Sequence, residues 1–170
     1  SDSCREALRD LGRCTTVLGT QPPPGFSSAP TIRVFHNGPD EDGAATGRVA
    51  LGLVHLVGSL APASGQPTRS LPEGIDLWMT GQSKVLPPGP GPGDYEVNSG
   101  CTDGRFICIW RKEEWRKVLL HELLHVFDAF VMPGLTSKTF CSDFPCLCGP
   151  GLVLPLPTES YVEFSATLLM

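Results

Sequence analysis

The sequence predicts an α+β domain, and three observations carry that reading. Runs rich in β-branched and aromatic residues at 31–36, 75–80 and 105–110 have the length and character of strands. Longer runs at 44–60 and 111–132 carry apolar residues at helical spacing. The 19 Gly and 17 Pro make the chain loop-rich, which confines the core to a few short elements. At 170 residues the length suits one domain, 1–170, with one sizeable core.

Taken in order, residues 1–19 are expected to form an N-terminal helix, with Ala7, Leu8, Leu11, Val17 and Leu18 as its apolar set. Residues 20–30 contain three successive prolines and read as a linker of polyproline character. The region 31–110 holds the sheet and a helix. Its first strand, 31–36, ends at the turn Asn37-Gly38-Pro39-Asp40, and a mostly apolar helix spans 44–60. A flexible stretch precedes 75–80, which alternates like a half-buried strand. Lys84-Val85-Leu86 could extend the sheet, and 87–93 is a Pro/Gly loop. Arg105-Phe-Ile-Cys-Ile-Trp110 is the clearest strand and leads directly into the helix 111–132. A last helix, 158–170, opens at Pro157 or Thr158.

The helix 111–132 carries the most informative residues, His121-Glu122-Leu123-Leu124-His125. Four residues apart on a helix, His121 and His125 project from one face about a turn apart and can share one tetrahedral zinc ion, with Glu122 beside them to take a proton from water. The polar stripe of this helix comprises Glu114, Lys117, His121, His125 and Asp128. The opposite face comprises Trp115, Leu119, Leu123, Val126, Phe127 and Phe130. A solvated polar stripe accounts for Glu114 and Lys117 but not for two histidines flanking a glutamate. Asp128 lies on the same helix as both histidines, where it could reach their metal only by folding back. It is expected to support a histidine or cap the helix end.

This His-Glu-x-x-His string, followed by the acidic helix Glu159-x-x-x-Glu163, resembles the gluzincin group of the zincin metalloproteases. The resemblance implies an α+β zincin-like fold, with a small twisted sheet packed on the active-site helix and a glutamate-bearing helix after it. It implies one Zn2+ held by His121, His125 and Glu159, with Glu163 orienting a zinc-bound histidine and Glu122 as general base in peptide hydrolysis. Glu163 stands where that group has Asp, so the roles of 159 and 163 could be exchanged. The resemblance also implies that an edge strand holds the peptide or protein substrate in extended form, and residues 97–102 are the expected edge. Tyr95, His36, His55 and Tyr161 are the candidate oxyanion donors, Tyr95 foremost. His36 and His55 read more naturally as structural histidines. The segment Arg111-Lys-Glu-Glu-Trp115 before the motif is in addition similar to uncharacterised zincin-like proteins of large eukaryotic DNA viruses, and His121 to Asp128 is similar to mitochondrial inner-membrane processing peptidases.

Net charge is −5, with basic pairs only at Arg111-Lys112 and Arg116-Lys117, so nothing points to nucleic acid. The apolar stretch 49–60 is too short for a membrane span. The chain starts at Ser1 and ends at Met170 inside an apolar pattern, as expected of a fragment of a longer chain. Oligomeric state is not legible. Seven cysteines leave at least one outside any set of intrachain pairs. Three disulfides plus one spare would suit an oxidising, secreted or lumenal compartment, whereas Cys141, Cys146 and Cys148 could instead hold a structural metal. A second functional class stays open: an inactive zincin-fold subunit of a larger assembly.

Overall fold

Residues 13–18, expected in a helix, form the first strand of a five-stranded sheet. Cys14-Thr15-Thr16-Val17 is a mostly β-branched run, stiff at χ1 and poorly suited to a helix. It finds a full antiparallel partner in the next strand. The computed structural model describes residues 11–24, 26–60, 71–83, 98–103, 105–127 and 157–170, the side chains of the last segment from residue 162 on. The rest of the expected N-terminal helix, 1–10, lies outside the described residues, as do Lys84 to Leu86.

Among the described residues the chain is mixed α+β: β1 (Arg13–Leu18), β2 (Thr31–His36), α1 (Asp40–Leu60), β3 (Gly74–Trp78), β4 (Gly100–Thr102), β5 (Phe106–Ile109), α2 (Trp115–Phe127) and α3 (Pro157–Leu168). The strand order is β1-β2-β3-β5-β4. The three inner strands run parallel, and β1 and β4 pair antiparallel at the two edges. Among the described residues β4, the last three residues of the segment 97–102 expected at an edge, is an outer strand.

Residues 20–30 are not a free linker. They close the β1–β2 connection through the Gly19 N–H bond to the Pro30 carbonyl, at 2.9 Å. Phe26 is buried, with its ring centroid 4.5 Å from that of Phe127. An aromatic residue with a core site to fill fixes where the loop lies.

The core is one sheet face covered by α1 and α2. Ile32, Val34, Ile75, Leu77, Ile107 and Ile109 from the inner strands meet Val54 and Val57 of α1 and Leu119, Leu120, Leu123, Leu124 and Phe127 of α2. Each such side chain contributes about 1.5–3 kcal/mol on burial. That outweighs the cost of the glycines in α1, about 1 kcal/mol each relative to Ala. At least one of those glycines is required by packing: a Cβ on Gly47 would sit 2.5 Å from Val17 Cγ2, so only a glycine lets α1 lie this close to β1. Helix α1 begins four residues before its expected start, because Asp40, Glu41 and Asp42 favour the positive end of the helix dipole. Its 21 residues are long and apolar enough to cross a membrane, where the shorter stretch 49–60 read from sequence was not. In this fold α1 packs on β1, β2 and α2.

Strand β3 was expected to be half-buried. It is buried on both faces through Leu77, because it lies between two parallel neighbours. Asp76 tolerates this position by accepting two bonds from the Arg33 guanidinium, at 2.6 and 2.8 Å. The pair holds the Arg33 pKa above its ordinary value. The next registered pair on the same sheet face, Phe35 and Trp78, stacks at 3.8 Å between centroids.

Candidate metal centre

Helix α2 is locked to the sheet at its start. The buried Arg111 guanidinium donates to the Ser99 hydroxyl at 2.8 Å and to the Asn98 carbonyl at 3.0 Å, while Ser99 bonds Glu114 and Arg111 lies 3.7 Å from the same carboxylate. This cluster joins the residues entering β4 to the turn entering α2. One step along, Gly100 faces α2 so closely that a Cβ there would lie 2.5 Å from Val118 Cγ1. The edge strand thus rests directly on the motif helix. Glu122, one helical turn beyond Val118, shares the side of α2 that meets β4 and is only 9% exposed. Its charge is felt by Cys101 of β4, whose thiol is pushed up first by burial and then by Glu122 and Asp103.

The two histidines lie on the side of α2 that meets α3. The His121 and His125 Nε2 atoms are 3.1 Å apart, with the rings edge to face at 4.7 Å between centroids. On α3, Glu163 places Oε2 at 3.1 Å from His121 Nδ1 and bonds Lys117 through Oε1. A carboxylate only accepts, so His121 Nδ1 carries the proton and the His121 Nε2 lone pair accepts from His125 Nε2–H, a proton that a bound cation would displace. The Glu163 carboxyl sits below its ordinary pKa of 4.5. Burial pushes it up, but the hydrogen bond and charge of Lys117, with His121, outweigh that. The resemblance implied that Glu163 orients a zinc-bound histidine or, with roles exchanged, is itself a ligand; its carboxylate here lies against a ring nitrogen of His121. Lys117 was read as part of a solvated stripe, and its role in holding Glu163 was missed. The available signal was its position one turn before His121.

The remaining candidates fall differently. Glu159 lies on α3 one turn before Glu163, but its side chain is outside the described residues. Asp128 and Tyr95 are outside them altogether, as is the Tyr161 side chain. His36 is buried at the end of β2, with Nδ1 donating to the Gly38 carbonyl at 3.1 Å and Nε2 accepting from Thr15 at 2.8 Å. Both ring nitrogens are engaged, so it is a structural histidine. A cavity of about 170 Å³ beside it is lined by Asn37, Asp42, Lys112 and Trp115, at the opposite end of α2 from His125. His55 is half-buried on α1.

Two imidazole nitrogens bound to one tetrahedral zinc at about 2.0–2.1 Å are separated by about 3.3 Å. The His121–His125 spacing fits that donor set. Among the described residues no group of three His, Cys, Asp or Glu is placed to hold a metal. Comparisons with protein-family models, with curated proteins and with solved structures find no match for this chain.

Proposed function

We propose that this chain is a zincin-like, zinc-dependent metallopeptidase that hydrolyses peptide bonds. One observation carries the reading: two histidine Nε2 atoms converge to 3.1 Å while a carboxylate from a second helix holds the far nitrogen of one of them. An ordinary solvated helix face has no need of that arrangement, whereas a bound cation does. His121 and His125 supply lone pairs, Glu163 fixes the His121 tautomer, and Lys117 keeps Glu163 ionised. Glu159, on the same helix, is the proposed third ligand.

Zinc bound there supplies a Lewis acid that brings the pKa of a water to about 7. Glu122 would be the residue that takes up a proton during attack on the peptide carbonyl and returns it to the leaving amine. Its burial on the side of α2 that meets β4 supports a role beside a peptide paired with that strand. Among the described residues β4 is an outer strand of the sheet, the position at which an extended substrate would add.

Elemental analysis of purified protein without added zinc tests the metal, and a peptide-library cleavage screen with Glu122→Gln as control tests the chemistry. About one zinc per chain, with cleavage lost in the variant, is expected. Protein that neither contains nor takes up zinc would sink the reading, and zinc without cleavage would leave a binding subunit.

A further inference from the structure

Cys101 on β4 and Cys108 on β5 are registered directly opposite each other. The bonds on either side set the alternation of the ladder: Asp103 N–H to the Phe106 carbonyl at 3.3 Å, and Trp110 N–H to the Ser99 carbonyl at 2.9 Å. Counting inward from both, Cys101 and Cys108 form a hydrogen-bonded pair, for which the Cα separation is about 5.5 Å. That lies within the roughly 4.4–6.8 Å Cα range of disulfides, but the Cβ atoms of a hydrogen-bonded pair stand about 5.5 Å apart against the roughly 3.5–4.5 Å a disulfide takes, so closing the bridge requires the short strand β4 to shift and makes the bridge easily reduced. Opposed residues share a sheet face, and this one is turned away from α2, since Gly100 next to Cys101 points into the helix. Cys101 is exposed and Cys108 half-buried, both as free thiols.

We propose that Cys101 and Cys108 are a reversible disulfide site, oxidised by thiol–disulfide exchange with a low-molecular-weight disulfide. Exposed Cys101, as thiolate, attacks one sulfur of that disulfide and releases one thiol after proton uptake. Cys108 then loses its proton, displaces the second thiol and closes the bridge. The dithiol gives up two electrons and two protons, and the oxidant becomes two thiols. The bridge ties edge strand β4, only three residues long, to β5 covalently. The ordering thus depends on the redox state of the surroundings. Burial, then the charge of Asp76, pushes the Cys108 thiol up to about 11, with Arg33 opposing. Cys101 is also raised, so neither thiol is a ready nucleophile at neutral pH and exchange is slow without excess oxidant. The site stands independently of the zinc reading.

The test uses the full chain equilibrated at neutral pH with oxidised glutathione, alkylated, and digested with trypsin without reduction. Cleavage after Lys84, Arg105 and Arg111 puts Cys101 in peptide 85–105 and Cys108 in peptide 106–111, each with a single cysteine. The expected result is these two peptides joined, released by dithiothreitol, with slower amide exchange at 100–102 in the oxidised form. Cys101→Ser, checked for unchanged far-ultraviolet circular dichroism, should leave peptide 106–111 unjoined. Recovery of both wild-type peptides singly alkylated or singly glutathionylated, or Cys108 joined to any other cysteine, would overturn the proposal.

Discussion

Replacing Glu163 with Gln isolates one term of the proposed site, the negative charge on His121. The amide can still accept from Nδ1, so shape and one hydrogen bond are kept. The carboxylate lies 3.1 Å from Nδ1, which puts it about 7 Å from a cation on Nε2. A charge of −1 against +2 at that range is worth roughly 1–2 kcal/mol in a near-aqueous dielectric. The Glu163 side chain is 48% exposed and already paired with Lys117, so the lower end applies. Zinc affinity should therefore fall about five- to tenfold, at the foot of the roughly 10–100-fold range for groups supporting a metal ligand. Competition with a chromophoric chelator measures it, with Glu159→Gln as the comparison, expected to lose far more. Affinity unchanged within error would show that the carboxylate does not act on His121. A loss larger than that of Glu159→Gln would make Glu163 the ligand and Glu159 the support. The same variant carries a pH signature. Because the folded-state pKa of Glu163 is depressed, its contribution to stability is present above its unfolded value and fades as pH falls through the folded one. Glu163→Gln should lack that acid-side loss.

Glu122→Gln should keep zinc content at the wild-type level while peptide hydrolysis falls about 10²–10⁴-fold, as for a lost general base, read by elemental analysis and initial rates. Gly100→Ala should destabilise the fold by about 1–3 kcal/mol in urea titration, because its Cβ meets Val118 Cγ1 at 2.5 Å and the Cys108 carbonyl at 3.2 Å. A stabilised variant would mean that β4 does not rest on α2. In reduced protein, the raised Cys108 pKa makes stability full below its ordinary value of 9.0 and falling as pH rises toward about 11. Urea midpoints for Cys108→Ser should lack that alkaline decline.

The fold was legible where local pattern and tertiary role agree. The strand 31–36 and the strand entering the motif helix carry β-branched and apolar runs that the sheet uses directly. Helix α2 follows the spacing of Trp115, Leu119, Leu123 and Phe127 but begins at Trp115 rather than at residue 111, and 128–132 lie outside the described residues; Leu120 and Leu124 are buried as well, because α2 is covered by both the sheet and α3. The failures share one cause. Arg13 to Leu18 has scattered apolar residues compatible with a helix, and only an antiparallel partner reveals it as a strand. Residue 76 gave β3 an alternating look, because the guanidinium that neutralises a buried Asp comes from another strand. In the site, the paired histidines were visible because a separation of four residues on one helix encodes them. The contact from Glu163 joins two helices, and a helical period says nothing about which neighbour a face will meet.

Glu rather than Asp at position 163 has a physical reason in this geometry. Lys117 and His121 are one turn apart on α2, and the two carboxylate oxygens divide between them, Oε1 to the lysine and Oε2 to the ring. Serving both from α3 needs reach across the helix–helix gap as well as two separated acceptors. Aspartate has the acceptors but is one methylene shorter, so Glu163→Asp should retain one partner and release the other. The stronger charge is on Lys117, so His121 should be the partner released. The His121 Nδ1 proton then exchanges with water, and its downfield resonance should disappear from the proton spectrum at pH 7. Zinc affinity should fall about tenfold, matching Glu163→Gln despite the retained charge. A persistent downfield resonance with wild-type affinity would show that α3 can move toward α2 far enough for a shorter acid to serve both, and the reach argument would be wrong.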